Sequence, residues 1–339
     1  MFKKLFHSAL WGLAAAGVIL FAVPKLNNSS LFSADDIVSF NSAVRIASPA
    51  VVNVYNRSFS SASINDSDQL QVNNLGSGVI MTKDGYILTN KHVIQNADQI
   101  VVALQNGSIY EANLIGSDNL TDLAVLKIKA TNLSTIPQNK ERQVRVGDIA
   151  LAIGNPYNLG QSVSQGIISA VGRSAVGDSL GRQNFIQTDA SINRGNSGGA
   201  LINSAGELVG ISTLSIGKTA NEIAEGLNFA IPISIANDVL YKIIRDGRVI
   251  RGYFGVQSEI TSNSNGGIVI TGVTANSPAA KAGIQVGDVI LRLNKRDNLS
   301  IREMQIISDT KPNTEVIITI SRLGKVIDLP VIIEELPSN

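Results

Sequence analysis

Residues 195–199 read Gly195-Asn196-Ser197-Gly198-Gly199, which places one serine inside a glycine-rich turn. A serine hydroxyl becomes a good nucleophile only when a neighbouring base removes its proton during attack. Glycines let the surrounding backbone bend so that amide N–H groups converge on one point. Turns of this composition are also common without any chemistry, so the segment alone leaves catalysis and simple turn formation equally open.

His92 is the candidate base. It follows a strand-like run within residues 88–94 (Leu-Thr-Asn-Lys-His-Val-Ile), and an imidazole that titrates near neutrality suits proton transfer. The chain has two histidines, and His7 lies at the edge of an apolar N-terminal run, so an imidazole base in a folded domain must be His92. Taken alone, His92 is more often a structural histidine beside a turn.

Asp122 is the candidate carboxylate. It stands just before the apolar run 123–126, a position where a lone aspartate is usually a turn or cap residue. Its place after His92 and before Ser197 gives the order of a chymotrypsin-type triad, in which the carboxylate fixes the imidazole tautomer. We therefore predict His92 as base, Asp122 as orienting carboxylate and Ser197 as nucleophile. The N–H groups of Gly195 and Ser197 are the predicted oxyanion hole.

Short β-branched runs separated by Gly, Asn and Asp turns predict an all-β barrel or sandwich rather than βαβ units. A Ser-, Asn- and Asp-rich stretch over residues 56–75 is predicted to be a mobile loop. Apolar residues at helical spacing predict a helix over 234–246, stopped by Gly247, that closes the first domain. The predicted strands are 51–55, 78–81, 86–89, 99–104, 123–128, 149–153 and 206–211.

A second, small domain is predicted from about residue 251. Tyr253-Phe254-Gly255, followed by the segments 277–284 and 287–290, resembles a PDZ domain, which binds the C-terminus of an extended peptide. The plainer interpretation is that these residues only pack a small barrel. The predicted elements are strands 268–270, 289–293, 316–321 and 325–333 and short helices 277–283 and 302–309.

The N-terminus predicts a membrane anchor. Lys3 and Lys4 precede an apolar run over residues 5–23, whose helical length of about 28 Å is close to the hydrocarbon thickness of a bilayer. A cleaved signal peptide is the alternative, but the run exits through residues 21–25 without a small-residue cleavage site. The two lysines predict that the N-terminus is cytoplasmic and that the rest of the chain lies outside.

Composition excludes several classes of protein. With 44% hydrophobic and 16% charged residues, a chain of 339 residues forms a large core and is not disordered. The net charge of +1, without a basic cluster, argues against nucleic acid as a partner. The absence of cysteine excludes disulfides and thiolate zinc sites, and the scarcity of histidine excludes a multi-histidine metal site. We predict no metal and no cofactor.

The three triad motifs, together with Gly154-Asn155-Pro156 and residues 187–193, resemble the HtrA (Deg) family of serine proteases over nearly the whole chain. The resemblance implies a mainly β chain with a trypsin-like double β-barrel protease domain and one C-terminal PDZ domain, preceded by an N-terminal transmembrane helix. It also implies a homotrimer and cleavage after small aliphatic residues. The implied boundaries are an anchor over 1–26, a tether over 27–50, the protease domain over 51–250 and the PDZ domain over 251–339.

The arrangement of one anchor, one protease domain and a single PDZ domain resembles that of the membrane-anchored, periplasmic members of the family. The resemblance implies that C-terminal peptides of unfolded outer-membrane proteins bind Tyr253, Phe254 and Gly255. Binding would activate cleavage of the periplasmic region of an inner-membrane anti-sigma factor, which starts the envelope stress response. Arg182 matches a regulatory loop arginine of the family, with an ordinary surface arginine as the alternative, and Arg194 stands where the resemblance leads us to expect histidine. The alternatives are a general periplasmic quality-control protease and a non-catalytic chaperone or scaffold on the same fold.

Overall fold

The computed structural model describes residues 11–12, 16, 39–59, 70–173, 184–215, 218–219, 222–223, 226–260, 267–294 and 310–337. The chain divides into two compact units, Met1–Ser42 and Ala43–Asn339, and the features below belong to the second, apart from the first two residues of a helix that begins at Asn41. The predicted anchor, apart from Trp11, Gly12 and Ala16, lies outside the described residues, as do Arg182 and the predicted helix over 302–309. Within the described ranges, no helix has both the length and the apolar character needed to cross a membrane.

The N-terminal part of this unit is a closed antiparallel barrel with the strand order β1-β2-β3-β6-β5-β4. Val51, Val52 and Val54 illustrate its core, since each is almost fully buried on β1. The mobile loop predicted over 56–75 is wrong at both ends, because residues 56–59 belong to β1, residues 70–75 belong to β2, and the two strands pair; residues 60–69 lie outside the described residues. The strands are β1 (Val51–Phe59), β2 (Leu70–Ile80), β3 (Tyr86–Asn90), β4 (Gln99–Ala103), β5 (Ile109–Asp118) and β6 (Leu123–Lys127).

A second closed barrel follows, with the order β10-β11-β14-β9-β8-β7. Its core includes Ile168, Ile186 and Leu201, contributed by three different strands. A two-stranded ribbon, β12 with β13, lies between β11 and β14 in the chain. The strands are β7 (Ile149–Gly154), β8 (Ser162–Arg173), β9 (Phe185–Thr188), β10 (Ala200–Ile202), β11 (Leu208–Ser215), β12 (Lys218–Thr219), β13 (Glu222–Ile223) and β14 (Asn228–Pro232).

Helices flank the barrels. The helix α1 (Asn41–Ala47) precedes β1, so the fold begins within the range predicted as a tether. A four-residue helix, α2 (Lys91–Ile94), follows β3 and carries the predicted base. The predicted closing helix is confirmed as α3 (Ile233–Asp246), and Gly247 ends it at φ +74° by donating its N–H to the carbonyl of Ile243.

The C-terminal part is a separate antiparallel sheet with the order β16-β17-β18-β19-β20. It encloses its own core, in which Phe254, Ile270 and Ile318 are buried. The predicted strands in this part are confirmed, with β17 and β19 longer than predicted. The elements are β15 (Gly252–Tyr253), β16 (Val256–Ile260), β17 (Ile268–Val273), α4 (Pro278–Lys281), β18 (Val289–Leu293), β19 (Glu315–Arg322), β20 (Lys325–Ile332) and β21 (Glu334–Glu335).

Candidate active site

His92 and Asp122 form a hydrogen-bonded pair on the first barrel. His92 Nδ1 lies 2.6 Å from Asp122 Oδ2, and the backbone N–H of His92 donates to Asp122 Oδ1 at 3.0 Å. A carboxylate only accepts, so the ring proton belongs on Nδ1 and Nε2 is left as the acceptor. The imidazole side chain is 40% exposed whereas the carboxylate is 16% exposed, so the base faces outward while its partner is mostly buried.

The short helix α2 depends on side-chain amides from neighbouring strands. Four residues cannot satisfy their own terminal carbonyls. Asn74 donates to the carbonyl of His92 at 3.2 Å, and the fully buried Asn56 donates to the carbonyls of Val93 at 3.1 Å and Gln95 at 2.8 Å. The orientation of the imidazole is therefore set by β1 and β2 as well as by its own element.

The backbone at Asp122 is also held in an uncommon conformation. Its φ is +55°, in the left-handed region that non-glycine residues seldom adopt. Its carbonyl accepts from the N–H of Lys91 at 2.8 Å and from the side chain of Asn90 at 3.1 Å. These bonds join the start of α2 to the residue that carries the carboxylate, so base and carboxylate are built as one unit.

Asp118 holds the turn that leads to Asp122. One of its carboxylate oxygens accepts from the N–H of Thr121 at 3.1 Å and from the Thr121 hydroxyl at 2.6 Å. The same carboxylate pairs with the guanidinium of Arg251, which comes from the start of the C-terminal part. Burial alone raises the pKa of Asp118, but the hydrogen bond and positive charge of Arg251, together with the hydrogen bonds from Thr121, outweigh it and leave the pKa below its ordinary value.

Ser197 and the His92–Asp122 pair meet through Thr213 on β11. The Ser197 hydroxyl donates to the carbonyl of Thr213 at 2.9 Å, while the Thr213 hydroxyl donates to Asp122 Oδ2 at 3.2 Å. Among the described residues, His92 and Ser197 share no hydrogen bond, and as the predicted nucleophile Ser197 would first have to release the Thr213 carbonyl. Catalytic hydrogen bonds are often completed only when substrate is bound.

The turn around Ser197 leaves two N–H groups available. In the described part of the chain, the N–H groups of Gly195 and Ser197 donate to no protein acceptor. The peptide group between Arg194 and Gly195, which carries the Gly195 N–H, is held through its carbonyl. That carbonyl, of Arg194, accepts from the N–H of Tyr157 at 3.1 Å. Gly195 has φ +100°, and a Cβ there would lie 2.4 Å from the carbonyl oxygen of Asn155, so only glycine fits.

The predicted peptide-binding loop forms the entry to the C-terminal sheet. The carbonyls of Phe254 and Gly255 accept from Ala279 and Thr274 at 3.0 and 2.9 Å, which fixes the loop. The N–H groups of Phe254 and Gly255 have no acceptor within the described ranges. Tyr253 pairs with Glu334 just before them, and the following strand, β16, is an edge strand with a single neighbour, β17.

Several residues of the site were not predicted from the sequence. Asn56 falls inside the segment predicted as a loop, and nothing marks Asn74 or Thr213 as functional. Both asparagines lie in the segment predicted as a loop, where asparagine is an ordinary residue, so the sequence offers no signal for the two amides. Within the described ranges, no cluster of three or more His, Asp or Glu side chains is arranged to hold a metal ion.

Two family models match the chain. A trypsin-like peptidase domain matches residues 76–211, which include His92, Asp122 and Ser197. A PDZ domain matches residues 242–321, which include the loop at Tyr253.

Whole-chain relatives extend these matches. The chain is 82% identical over 340 residues to a protein of Haemophilus influenzae named serine endoprotease DegS, with 100% of both chains covered. A crystal structure of the serine endoprotease from Yersinia pestis is 52% identical and superposes with a TM-score of 0.75 over 89% of this chain and 100% of that one. A structure of the HtrA-type protease AlgW with a tripeptide is 41% identical, with a TM-score of 0.79 over 89% of this chain and 98% of that one.

Proposed function

This chain belongs to the HtrA (Deg) family of serine endoproteases, and we propose that His92, Asp122 and Ser197 carry out its peptide-bond hydrolysis. The observation that carries the assignment is the double contact of Thr213. Its carbonyl accepts from the Ser197 hydroxyl and its own hydroxyl donates to Asp122, so residues from two barrels converge on one point.

Acylation begins when the Ser197 hydroxyl leaves the Thr213 carbonyl and turns toward His92. Oγ attacks the carbonyl carbon of the substrate while Nε2 takes its proton. Asp122 stabilises the imidazolium that forms, through the 2.6 Å contact with Nδ1. The oxyanion accepts hydrogen bonds from the N–H groups of Gly195 and Ser197, and the loss of one such donor typically costs about 3 kcal/mol of transition-state stabilisation.

Acylation is completed when the proton moves from His92 to the leaving group, and hydrolysis of the resulting ester follows. The imidazolium gives its proton to the leaving amine, the carbon–nitrogen bond breaks, and an acyl ester remains on Ser197. Water attacks the ester with His92 again as base, and the Ser197 hydroxyl is restored as the acid departs. The exposed face of the imidazole is required for both steps, because substrate and water must reach Nε2.

The C-terminal part is proposed to bind the C-terminal residues of extended peptides. The two unpaired N–H groups at Phe254 and Gly255 suit a terminal carboxylate, and the outer edge of β16 suits the addition of a peptide strand. The peptide present in the related AlgW structure favours the same general chemistry. We propose Tyr253, Phe254 and Gly255 as the carboxylate-binding loop, and Arg182 as a regulatory residue on resemblance alone.

The cellular role is proposed from the same resemblance. The protein would be anchored in the inner membrane by residues 1–26, with a tether over 27–50 and with the protease (51–250) and PDZ (251–339) domains in the periplasm. It would act as a homotrimer without a cofactor. C-terminal peptides of unfolded outer-membrane proteins would activate it to cleave the periplasmic region of an anti-sigma factor and start the envelope stress response. A general quality-control protease or chaperone is the alternative.

The test uses the full chain in detergent, incubated with an anti-sigma-factor domain or with an unfolded protein. Cleavage is measured with and without a peptide that ends in aromatic residues. The same series is repeated with Ser197→Ala, and with Gly255→Ala, whose Cβ would lie 2.2 Å from the Cβ of Ser277 and would disturb the carboxylate loop.

Peptide-stimulated cleavage that requires Ser197 and weakens in Gly255→Ala is the expected result. Cleavage that requires Ser197 but ignores the peptide would favour quality control. Cleavage that survives in Ser197→Ala would exclude the proposed nucleophile, and a wild-type protein that binds unfolded chains without cutting either substrate would favour the chaperone.

A further inference from the structure

Ser77 joins the first barrel to the catalytic turn of the second. It lies on β2 between two glycines and is fully buried. Its hydroxyl donates to the carbonyl of Gly195 at 2.7 Å, and its backbone N–H donates to the carbonyl of Ser197 at 2.8 Å. One residue of the first barrel therefore holds the two residues whose N–H groups form the proposed oxyanion hole.

Ser77 also holds the elements on either side of that turn. Its hydroxyl accepts from the N–H of Asn155, directly after β7, at 3.0 Å. Its carbonyl accepts from the Thr89 hydroxyl at 2.7 Å, three residues before His92. The hydroxyl is thus used as donor and acceptor at once, and its loss would leave the buried Gly195 carbonyl without this partner.

The bonds to Ser77 act on the peptide planes that decide where the oxyanion donors point. The carbonyl of Gly195 lies in the peptide plane that joins Gly195 to Asn196, and the carbonyl of Ser197 lies in the plane that joins Ser197 to Gly198. The Ser197 N–H lies in the plane between these two. Gly195 and Gly198, at φ +100° and +84°, give this turn rotational freedom that other residues lack. A turn with glycines at these positions needs external bonds to stay in one conformation, and Ser77 supplies two of them.

We propose that Ser77 is a positioning residue that keeps the oxyanion hole assembled before substrate arrives. The inference rests on the proposed function, since it presupposes that Gly195 and Ser197 donate to an oxyanion. Ser77 itself touches no reacting atom. A purely structural role, in which it only holds the barrels together, predicts a change in stability without a selective effect on the chemical step.

The flanking sequence reflects the close approach that this role requires. A Cβ at Gly76 would lie 2.6 Å from the Val93 side chain and 3.0 Å from the Ser197 carbonyl oxygen. A Cβ at Gly78 would lie 2.8 Å from the Ile87 side chain. Glycines on both sides thus let Ser77 reach the turn by its backbone as well as by its hydroxyl.

The test compares Ser77→Ala with Ser212→Ala in the full chain. Ser212 is equally buried, and its hydroxyl has no hydrogen-bond partner among the described residues, so its removal deletes the same atom without a bond. For each protein we would measure kcat, KM, the thermal midpoint, and inhibition by a peptide aldehyde, which forms a tetrahedral adduct on the nucleophile. Ser77→Cys is included because a thiol is a weak donor of similar size.

In Ser77→Ala we expect kcat to fall about 10–100-fold with KM within about twofold, since the lost interaction acts only in the transition state. The aldehyde should lose affinity by the same factor. Ser77→Cys should fall between Ser77→Ala and wild type, and Ser212→Ala should stay within about twofold of wild type in kcat.

An unchanged kcat in Ser77→Ala, or a kcat loss without loss of aldehyde affinity, would overturn the proposal. So would equal losses in Ser77→Ala and Ser212→Ala, or failure of both Ser77 variants to fold. Failure of the proposed function has a different signature, namely a Ser197→Ala variant as active as wild type or a wild-type protein without activity.

Discussion

The two barrels contribute to the site by different means. The first barrel holds His92 and Asp122 in a pair already 2.6 Å apart, fixed by the side chains of Asn56 and Asn74. The second barrel presents Ser197 on a glycine-rich turn held mainly through backbone groups, with its hydroxyl directed to the Thr213 carbonyl. The proposed acid–base pair is already hydrogen-bonded, whereas the proposed nucleophile would contact His92 only after its hydroxyl leaves the Thr213 carbonyl.

This difference indicates which substitutions should most reduce activity in each half of the site, the first half being the part contributed by the first barrel and the second half the part contributed by the second barrel. The first half depends on charge and on side-chain hydrogen bonds, so changes of side-chain chemistry should affect it most. The second half depends on close backbone approach, so added volume should affect it most. Pairs of substitutions that change only side-chain chemistry, or only the volume added near the backbone, can separate these two kinds of dependence.

The largest effect is expected from Asp122→Asn. Asparagine is tolerated at the positive φ of this position, so the backbone should be retained, but its amide favours the wrong imidazole tautomer. We expect kcat/KM to fall about 10³–10⁴-fold with a thermal midpoint close to wild type. Cleavage assays with the full chain would measure this, and a loss below tenfold would show that the preassembled pair is not what orients the base.

Gly198→Ala tests whether close backbone approach positions the turn at Ser197, because it adds a single methyl group there. Its φ is +84°, and an added Cβ would lie 2.2 Å from the carbonyl oxygen of Ser77. The matched control is Gly107→Ala, in the turn between β4 and β5, where φ is +85° and no atom of the described residues lies within 4 Å of the added Cβ. Both variants carry the strain of an alanine at positive φ, about 1–3 kcal/mol.

We expect at least a ~100-fold loss of kcat/KM in Gly198→Ala, because a displaced nucleophile loses its alignment. Gly107→Ala should keep wild-type activity and lose only stability. Equal activity in the two variants would mean that close backbone approach does not position the turn.

Much of this arrangement could be predicted from the sequence, and the missing part has a physical reason. The roles of His92, Asp122 and Ser197 could be predicted because the three residues follow one another in the order of a chymotrypsin-type triad, although none of their motifs identifies a catalytic residue alone. The closing helix was predicted almost to the residue because apolar spacing and Gly247 act locally. Asn56 and Ser77 act on segments 37 and 118 residues away, and the register of the barrels alone brings those segments together.

The error over residues 56–75 has the same origin. Its Ser- and Asn-rich composition favours a loop, but both ends of the segment are strands, because β1 pairs with β2 and β4. Tertiary hydrogen bonding outweighs local preference there. That error also concealed Asn56 and Asn74, since an amide in a predicted loop gives no reason to expect a structural role beside the base.

Asp118→Asn tests the dependence of the first half on charge. The Asp118 and Arg251 side chains are 7% and 15% exposed, and loss of one partner from a buried pair costs about 3 kcal/mol. We expect about a tenfold loss of kcat/KM as well, because Asp118 also holds Thr121 next to Asp122. Urea unfolding and cleavage assays measure the two effects.

The pH dependence of this variant has a defined sign. The folded-state pKa of Asp118 lies below its ordinary value of 3.8, so its ionised form stabilises the fold above about pH 4. That stabilisation is lost as the pH falls through the lowered pKa. The difference in unfolding free energy between wild type and Asp118→Asn should therefore shrink below pH 4, and a constant difference would contradict the assignment.

Asp288 provides the matched control in the C-terminal sheet. The hydrogen bond from Arg322 lowers the pKa of Asp288 more than burial raises it, and the Asp288 side chain is 2% exposed. Asp288→Asn should lose stability with the same dependence on pH. Its activity on a substrate cleaved without activating peptide should stay at the wild-type level, because the pair lies outside both barrels.

The smallest effect is expected at Thr213, where the two halves meet. Thr213→Val keeps the backbone carbonyl that receives the Ser197 hydroxyl but removes the 3.2 Å hydrogen bond to Asp122. The loss of one hydrogen bond of this length is worth about 1 kcal/mol, so kcat/KM should fall about fivefold. Thr319→Val is the control, since the Thr319 hydroxyl donates to Asp328 at 2.6 Å in the C-terminal sheet. If Thr213→Val lost no more activity than Thr319→Val, the second barrel would contribute only its carbonyl, and the orientation of Asp122 would belong to the first barrel alone.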